Sequence, residues 1–179
     1  MKRFYAAALV PLALAGCGNK PEVKAENASV AQVAVAASKA MRMEPGKWRT
    51  EISVDSVDIA NVPPPAADMM KRHAGKQTVE TCVTSAQAER PPEELLGGNG
   101  TKSCRYDRFE IRNGKLDAAM TCQGGASGSG TIHNTISGDF SGSGYDLVGI
   151  AKVDMSGQGI TTRTKIRGAR IGACDGTEG

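Results

Sequence analysis

Cysteine is the residue type here with the most chemistry to offer, and there are five: Cys17, Cys82, Cys104, Cys122 and Cys174. No two stand in C-x-x-C spacing, which excludes zinc-ribbon, thioredoxin-like and haem-attachment readings. The two histidines, His73 and His133, lack the spacing of a ligand pair. In an oxidising compartment thiols pair with one another first, so neither metal nor cofactor is expected. No serine has the G-x-S-x-G surroundings of a nucleophile elbow. Gly128-Ser129-Gly130 and Gly142-Ser143-Gly144 do not extend to a dinucleotide fingerprint, and there is no P-loop. Those glycines read as turns, bulges or close packing. Glu93-Glu94 reads as ordinary loop surface. No catalytic residue emerges, and the chain is read as non-enzymatic.

The odd cysteine is explained by the N-terminus. Lys2 and Arg3 form a positive start, residues 4–15 are apolar but for Pro11, and small residues lead to Cys17. That order is a secretory signal rather than a membrane span. Leu14-Ala15-Gly16-Cys17 matches a bacterial lipobox, which implies cleavage before Cys17 and acylation of both its sulfur and its new amine. The expected product is an envelope lipoprotein, palmitate-type chains included, held on the membrane through Cys17 and facing the periplasm. Gly18 in place of Asp favours the outer membrane.

Bulk properties agree with a modest exported domain. The chain has 179 residues, 40% apolar and 23% charged, with a formal net charge of +3. Removing residues 1–16 takes away Lys2 and Arg3 and leaves a charge near +1. Such a weak charge gives no footprint for nucleic acid. Four cysteines remain, which implies two disulfides with three possible connectivities.

These cysteines must be positioned by strands. Residues 1–16 read as signal peptide, 17–43 as a lipid-anchored tether, 44–175 as the β domain and 176–179 as a tail. Within the tether, Asn27 or Ser29 can cap a short helix through Val30, Val33, Ala37 and Met41. Residues 47–59 read as a strand in which Trp48, Thr50, Ile52 and Val54 share a face. The apolar phase then shifts to Val57 and Ile59, the mark of a bulge or bend. After Pro63-Pro64-Pro65, residues 66–73 read as a short helix bearing Met69 and Met70. Residues 77–83 read as a second strand, followed by a helix capped by Thr84 or Ser85.

The clearest local signal is Asn113-Gly114 between residues 104–111 and 115–122, the pattern of a hairpin. A two-residue turn pairs Arg112 with Lys115, Ile111 with Leu116 and Phe109 with Ala118, but makes Cys104 and Cys122 miss by one. A three-residue loop pairs Cys104 with Cys122 and Tyr106 with Met120, within reach of a bridge. A bulge reconciles both. The favoured pairing is Cys104–Cys122, leaving Cys82–Cys174. Further strands are expected at 129–136, 145–155 (with an optional start at Phe140) and 160–174, with turns at Gly138-Asp139 and at residues 156–159. Short strands with frequent turn residues indicate an all-β fold. The expected architecture is a small antiparallel meander, a curved sheet or barrel-like domain with one or two short helices in loops.

This layout resembles the bacterial domain of unknown function 3617 over most of residues 44–175. The matching elements are Glu44-Pro45-Gly46-Lys47-Trp48, the Pro-rich loop with Met69-Met70, Thr81-Cys82-Val83-Thr84, Ser103-Cys104-Arg105-Tyr106-Asp107, Cys122, and Arg170-Ile171-Gly172-Ala173-Cys174. The resemblance implies an exported protein, often a lipoprotein. It implies no activity.

The functional expectation is a non-catalytic binding or envelope-associated module whose partner is an envelope protein or a lipid. Trp48, Tyr106, Met120, Met69 and Met70 are its candidate ligand contacts. Core packing competes for Trp48, and gap-filling competes for the methionines. Arg163, Lys165 and Arg167 share one strand face, which reads as solvated surface or as a site for anionic lipid. The rival classes are a structural envelope protein without ligand and an enzyme with an unrecognised site.

Overall fold

The computed structural model describes residues 22–38, 40–60, 65, 68–69, 72, 75–89, 103–124, 130–155 and 158–176. Eight strands are β1 (Val23–Ser29), β2 (Gly46–Ile59), β3 (Lys76–Val83), β4 (Cys104–Arg112), β5 (Lys115–Gln123), β6 (Thr131–Ser141), β7 (Gly144–Met155) and β8 (Gln158–Gly172). Among the described residues, two continuous short helices are α1 (Val30–Ala37) and α2 (Ser85–Ala88), and Pro65, Asp68, Met69 and Arg72 are helical as well. The strands form one antiparallel sheet in the order β1-β4-β5-β6-β7-β8-β2-β3, and the sheet is not closed. The all-β expectation is met.

Alternation sends one set of side chains to an inner face, on which α1 lies, and the other to a charged outer face. The inner set in β4 and β5 is Tyr106, Phe109, Ile111, Leu116, Ala118 and Met120, all buried. Val33, Ala37 and Met41 are fully buried against the same cluster. The outer face carries cross-strand ion pairs such as Arg108–Asp117 (2.7 Å), Lys115–Asp139 (2.7 Å) and Arg167–Asp146 (2.9 Å).

The helix expected through Met41 ends at Ala37, residues 158–159 of the expected turn open β8, and two stretches differ more from the sequence reading. Residues 23–37, expected as part of the tether, join the domain: β1 pairs with β4 and α1 covers the inner face. Ser29 is the cap of α1, and its side chain and that of Gln32 each accept a hydrogen bond from the other residue's backbone N–H. The strand carries little signal in the sequence because its inward residues are chiefly alanines, which have little β-propensity of their own. The second correction concerns Gly138-Asp139, which is not a turn. β6 runs through it to Ser141, Phe140 belongs to β6, and the turn falls at Gly142-Ser143. Gly138 has a φ of 150°, and a Cβ there would lie 2.1 Å from the Asp146 carbonyl oxygen. The glycine serves close strand approach instead.

Candidate ligand-binding site

The site begins with the β4–β5 hairpin. Asn113 and Gly114 have φ of 53° and 78°, the two positive values a two-residue turn of this kind requires. The turn pairs Arg112 with Lys115, Ile111 with Leu116 and Phe109 with Ala118. Beyond it the register shifts between Tyr106 and Arg108, so that Tyr106 meets Met120 and Cys104 meets Cys122. Both registers weighed from the sequence are present, joined by a bulge at Asp107. The disulfides are Cys104–Cys122 and Cys82–Cys174, with Cα separations of 4.0 and 5.5 Å. A second shift lies between Val54 and Ser56 in β2, where the apolar phase changes.

The Asp107 bulge turns both Tyr106 and Phe109 inward. Behind them the inner rows run across the sheet. One row is Tyr106, Met120, Asn134, Ala151 and Thr162. The next is Phe109, Ala118, Ile136, Gly149 and Thr164. Ala118, Gly149 and Ala151 put little side-chain volume at the centre of these rows. The result is a hollow of about 240 Å³. Its principal walls are Tyr106, Met120, Ile136 and Ile166, with Ala118 and Ala151 in its lining. Asn134, Thr135 and Thr164 bring polar atoms, and no charged residue lines it. Tyr106 is 2% exposed, and burial pushes its phenol up to about 12.

Of the five expected contacts, the structure brings Tyr106 and Met120 together in this hollow. Trp48 stands elsewhere, 1% exposed. Its indole N–H donates to the Glu44 carbonyl at 2.9 Å, and it stacks on Tyr145 at 6.1 Å between ring centroids. Tyr145 stacks in turn on Phe140 and shares a 2.9 Å hydrogen bond with Thr50. Trp48 is therefore core packing that closes the other end of the inner face. Met69 is 56% exposed and does not line the hollow. Cys17, Met70, His73, Glu93 and Glu94 lie outside the described residues. Sequence reasoning missed Ala118, Gly149 and Ala151. Each was legible as a small residue at an inward position, but only cross-strand register makes them neighbours.

The outer face carries a polar chain across β4, β5 and β6. Thr121 donates to Asp107 Oδ2 at 2.8 Å, and its oxygen lies 3.1 Å from His133 Nδ1. His133 and Asp107 are exposed on this face. In the basic stripe, Lys165 pairs with Asp55 and Arg167 with Asp146, which fits solvated surface. Among the described residues no group of three His, Cys, Asp or Glu is placed to hold a metal. A second depression, of about 310 Å³, lies at the hairpin end between Asn113, Asp139 and Asp146. Its carboxylates are already paired with Lys115 and Arg167.

Residues 43–174 match the family described as "Protein of unknown function (DUF3617)". No curated protein and no solved structure matches the chain.

Proposed function

The chain belongs to the DUF3617 family, and from the uncharged hollow on its inner face we propose that it is a non-catalytic envelope lipoprotein that binds an apolar ligand. The hollow carries this reading. Its walls are aliphatic and aromatic, with a few hydrogen-bonding groups at Asn134 and Thr164, the usual composition of a small-molecule site. At about 240 Å³ it falls below the roughly 300 Å³ at which drug-sized pockets begin. It therefore suits one narrow aliphatic chain, such as a lipid acyl chain, better than a compact polar molecule.

The compartment follows from separate arguments. The signal and lipobox ending at Cys17 assign the protein to the envelope, anchored by its acyl chains, with Gly18 favouring the outer membrane. Two disulfides within one small domain fit an exported protein.

The test is titration of the full chain, in detergent, with a fluorescent fatty-acyl probe. Saturable binding is expected, weakened at least tenfold by Gly149→Ile. A Cβ at Gly149 meets only the Thr135 carbonyl, at 4.0 Å, so the larger side chain enters the hollow without a backbone clash. Absence of saturable binding, or binding indifferent to Gly149→Ile, overturns the proposal.

A further inference from the structure

A sheet edge is a row of peptide groups without partners, and proteins usually blunt it with charge, bends or bulges. The two edges here are treated differently. β1 carries Lys24 and Glu26, whose side chains are 67% and 61% exposed, and it bends at Asn27, whose φ is 50°. β3 has no proline and no positive φ, and it pairs with β2 without a shift from Gly46↔Val83 to Ser53↔Lys76. Its two charged residues face partners on β2. Lys76 lies 2.8 Å from Glu51, and Glu80 is held by Arg49 at 2.7 Å and Lys47 at 3.2 Å. On the inner face Gln77, Val79 and Thr81 are exposed, Val79 at 43%. Among the described residues, no strand pairs with the outer edge of β3.

We propose that β3 pairs antiparallel with β3 of a second copy of this chain, about a two-fold axis through Val79. The strand is complementary to itself in that register. Val79 meets its own copy, so two exposed β-branched side chains cover each other. Gln77 stands opposite Thr81, two side chains able to hydrogen-bond. Lys76 stands diagonally across from Glu80, within reach of a long side chain, and symmetry repeats the pair. The diagonal Lys76 and Glu80 extend ion pairs each already makes with β2, and with the Val79 and Gln77–Thr81 matches this self-complementary order of residues selects a second copy over an unrelated strand. A contact of this isologous kind closes after two subunits and leaves no further β3 edge to recruit. Odd residues meet odd residues, so both inner faces stay on one side of a continuous sheet. This inference does not depend on the ligand proposed above.

The test uses the full chain in membranes and in detergent. Val79→Cys is expected to give a covalent dimer on mild oxidation, while Lys152→Cys, exposed on the outer face of β7, gives none. Sedimentation of the wild-type chain should show a dimer, and Val79→Lys, which sets two ammonium groups against each other at the axis, should weaken it at least tenfold with an unchanged circular dichroism spectrum. If Val79→Lys fails to fold, the cross-link and the wild-type mass decide alone. A monomeric wild type, equal cross-linking at both positions, or a cross-link from position 79 to another protein overturns the proposal.

Discussion

Tyr106 and Phe109 stand three residues apart on one strand, yet their rings meet edge to face, 5.4 Å between centroids and at 83°. Strict alternation would send them to opposite faces. The extra residue at Asp107 restores them to the same face. β1 follows the irregularity in step: Ala25 pairs with Phe109, Ala28 with Tyr106, and Asn27 stands across from Asp107. The bulge thus runs through two strands and builds one wall of the hollow.

Deleting Asn27 and Asp107 together should regularise both strands. Tyr106, Phe109, Ala25 and Ala28 then keep their faces, and Cys104 still meets Cys122. The expected loss of stability is about 1 kcal/mol, of the order of one hydrogen bond such as Thr121 to Asp107. Deleting Glu110 instead turns Phe109 outward, which should cost about 3–5 kcal/mol, as for loss of a buried Phe. Urea melts with disulfide mapping compare the two, and equal losses would refute the bulge as the positioning device.

Tyr106 should titrate well after an ordinary tyrosine. Burial pushes its folded pKa up to about 12, above the ordinary phenol value of 10.0. The phenol's contribution is therefore fully present below pH ~10 and is lost as pH rises toward ~12. Ultraviolet titration should show a late phenol that is absent in Tyr106→Phe. A Tyr106 that ionises near 10 would mean that water reaches its hydroxyl.

Gly168 on β8 and Gly149 on β7 both occupy inner positions, with the Leu147–Ile166 pair between their rows, but should respond oppositely to alanine. A Cβ at Gly168 would lie 2.1 Å from the Tyr145 ring, whereas one at Gly149 meets only an atom at 4.0 Å. Gly168→Ala should lower stability by about 1–3 kcal/mol through overpacking. Gly149→Ala should leave it nearly unchanged or raise it slightly. Thermal melts of the two variants give the comparison, and equal effects would refute it.

The two bridges should contribute unequally. Cys82–Cys174 spans 92 residues and Cys104–Cys122 spans 18. Loop closure alone favours the longer bridge by about 1.5 kcal/mol. Residual hairpin structure at Asn113-Gly114 in the unfolded chain should widen the gap. Replacing Cys82 and Cys174 by Ala should lower the urea midpoint more than replacing Cys104 and Cys122. Equal or reversed losses would locate the weak point in the hairpin.

On the proposed anchor, Cys17→Ser should release the protein from membranes, because acyl chains on that residue would supply the attachment. Inhibiting the lipoprotein signal peptidase should accumulate the precursor. A wild-type chain that fractionates as soluble and carries no acyl mass contradicts the lipobox reading.

Features carried by short-range pattern were legible in the residues themselves. Alternation defined β2 through its phase shift, Asn113-Gly114 placed the hairpin, and cysteine parity with hairpin register led to both disulfides. Each short helix announced itself through a pair of cap candidates, Asn27 or Ser29 and Thr84 or Ser85, of which the structure uses Ser29 and Thr84. Each of these signals lies in turn chemistry, periodicity or a covalent distance limit, which a few neighbouring residues suffice to express. The tertiary structure decided the rest. It recruited Val23–Ser29 as an edge strand, since a run with Ala25 and Ala28 inward is stabilised by the strand it joins rather than by its own propensity. It buried Trp48 at one end and left the hollow at the other. The hollow itself exists because Ala118, Gly149 and Ala151 come from two strands that are not sheet neighbours, with β6 between them. A cavity is missing volume summed over such neighbours, and that sum is defined only once long-range pairing has set the register.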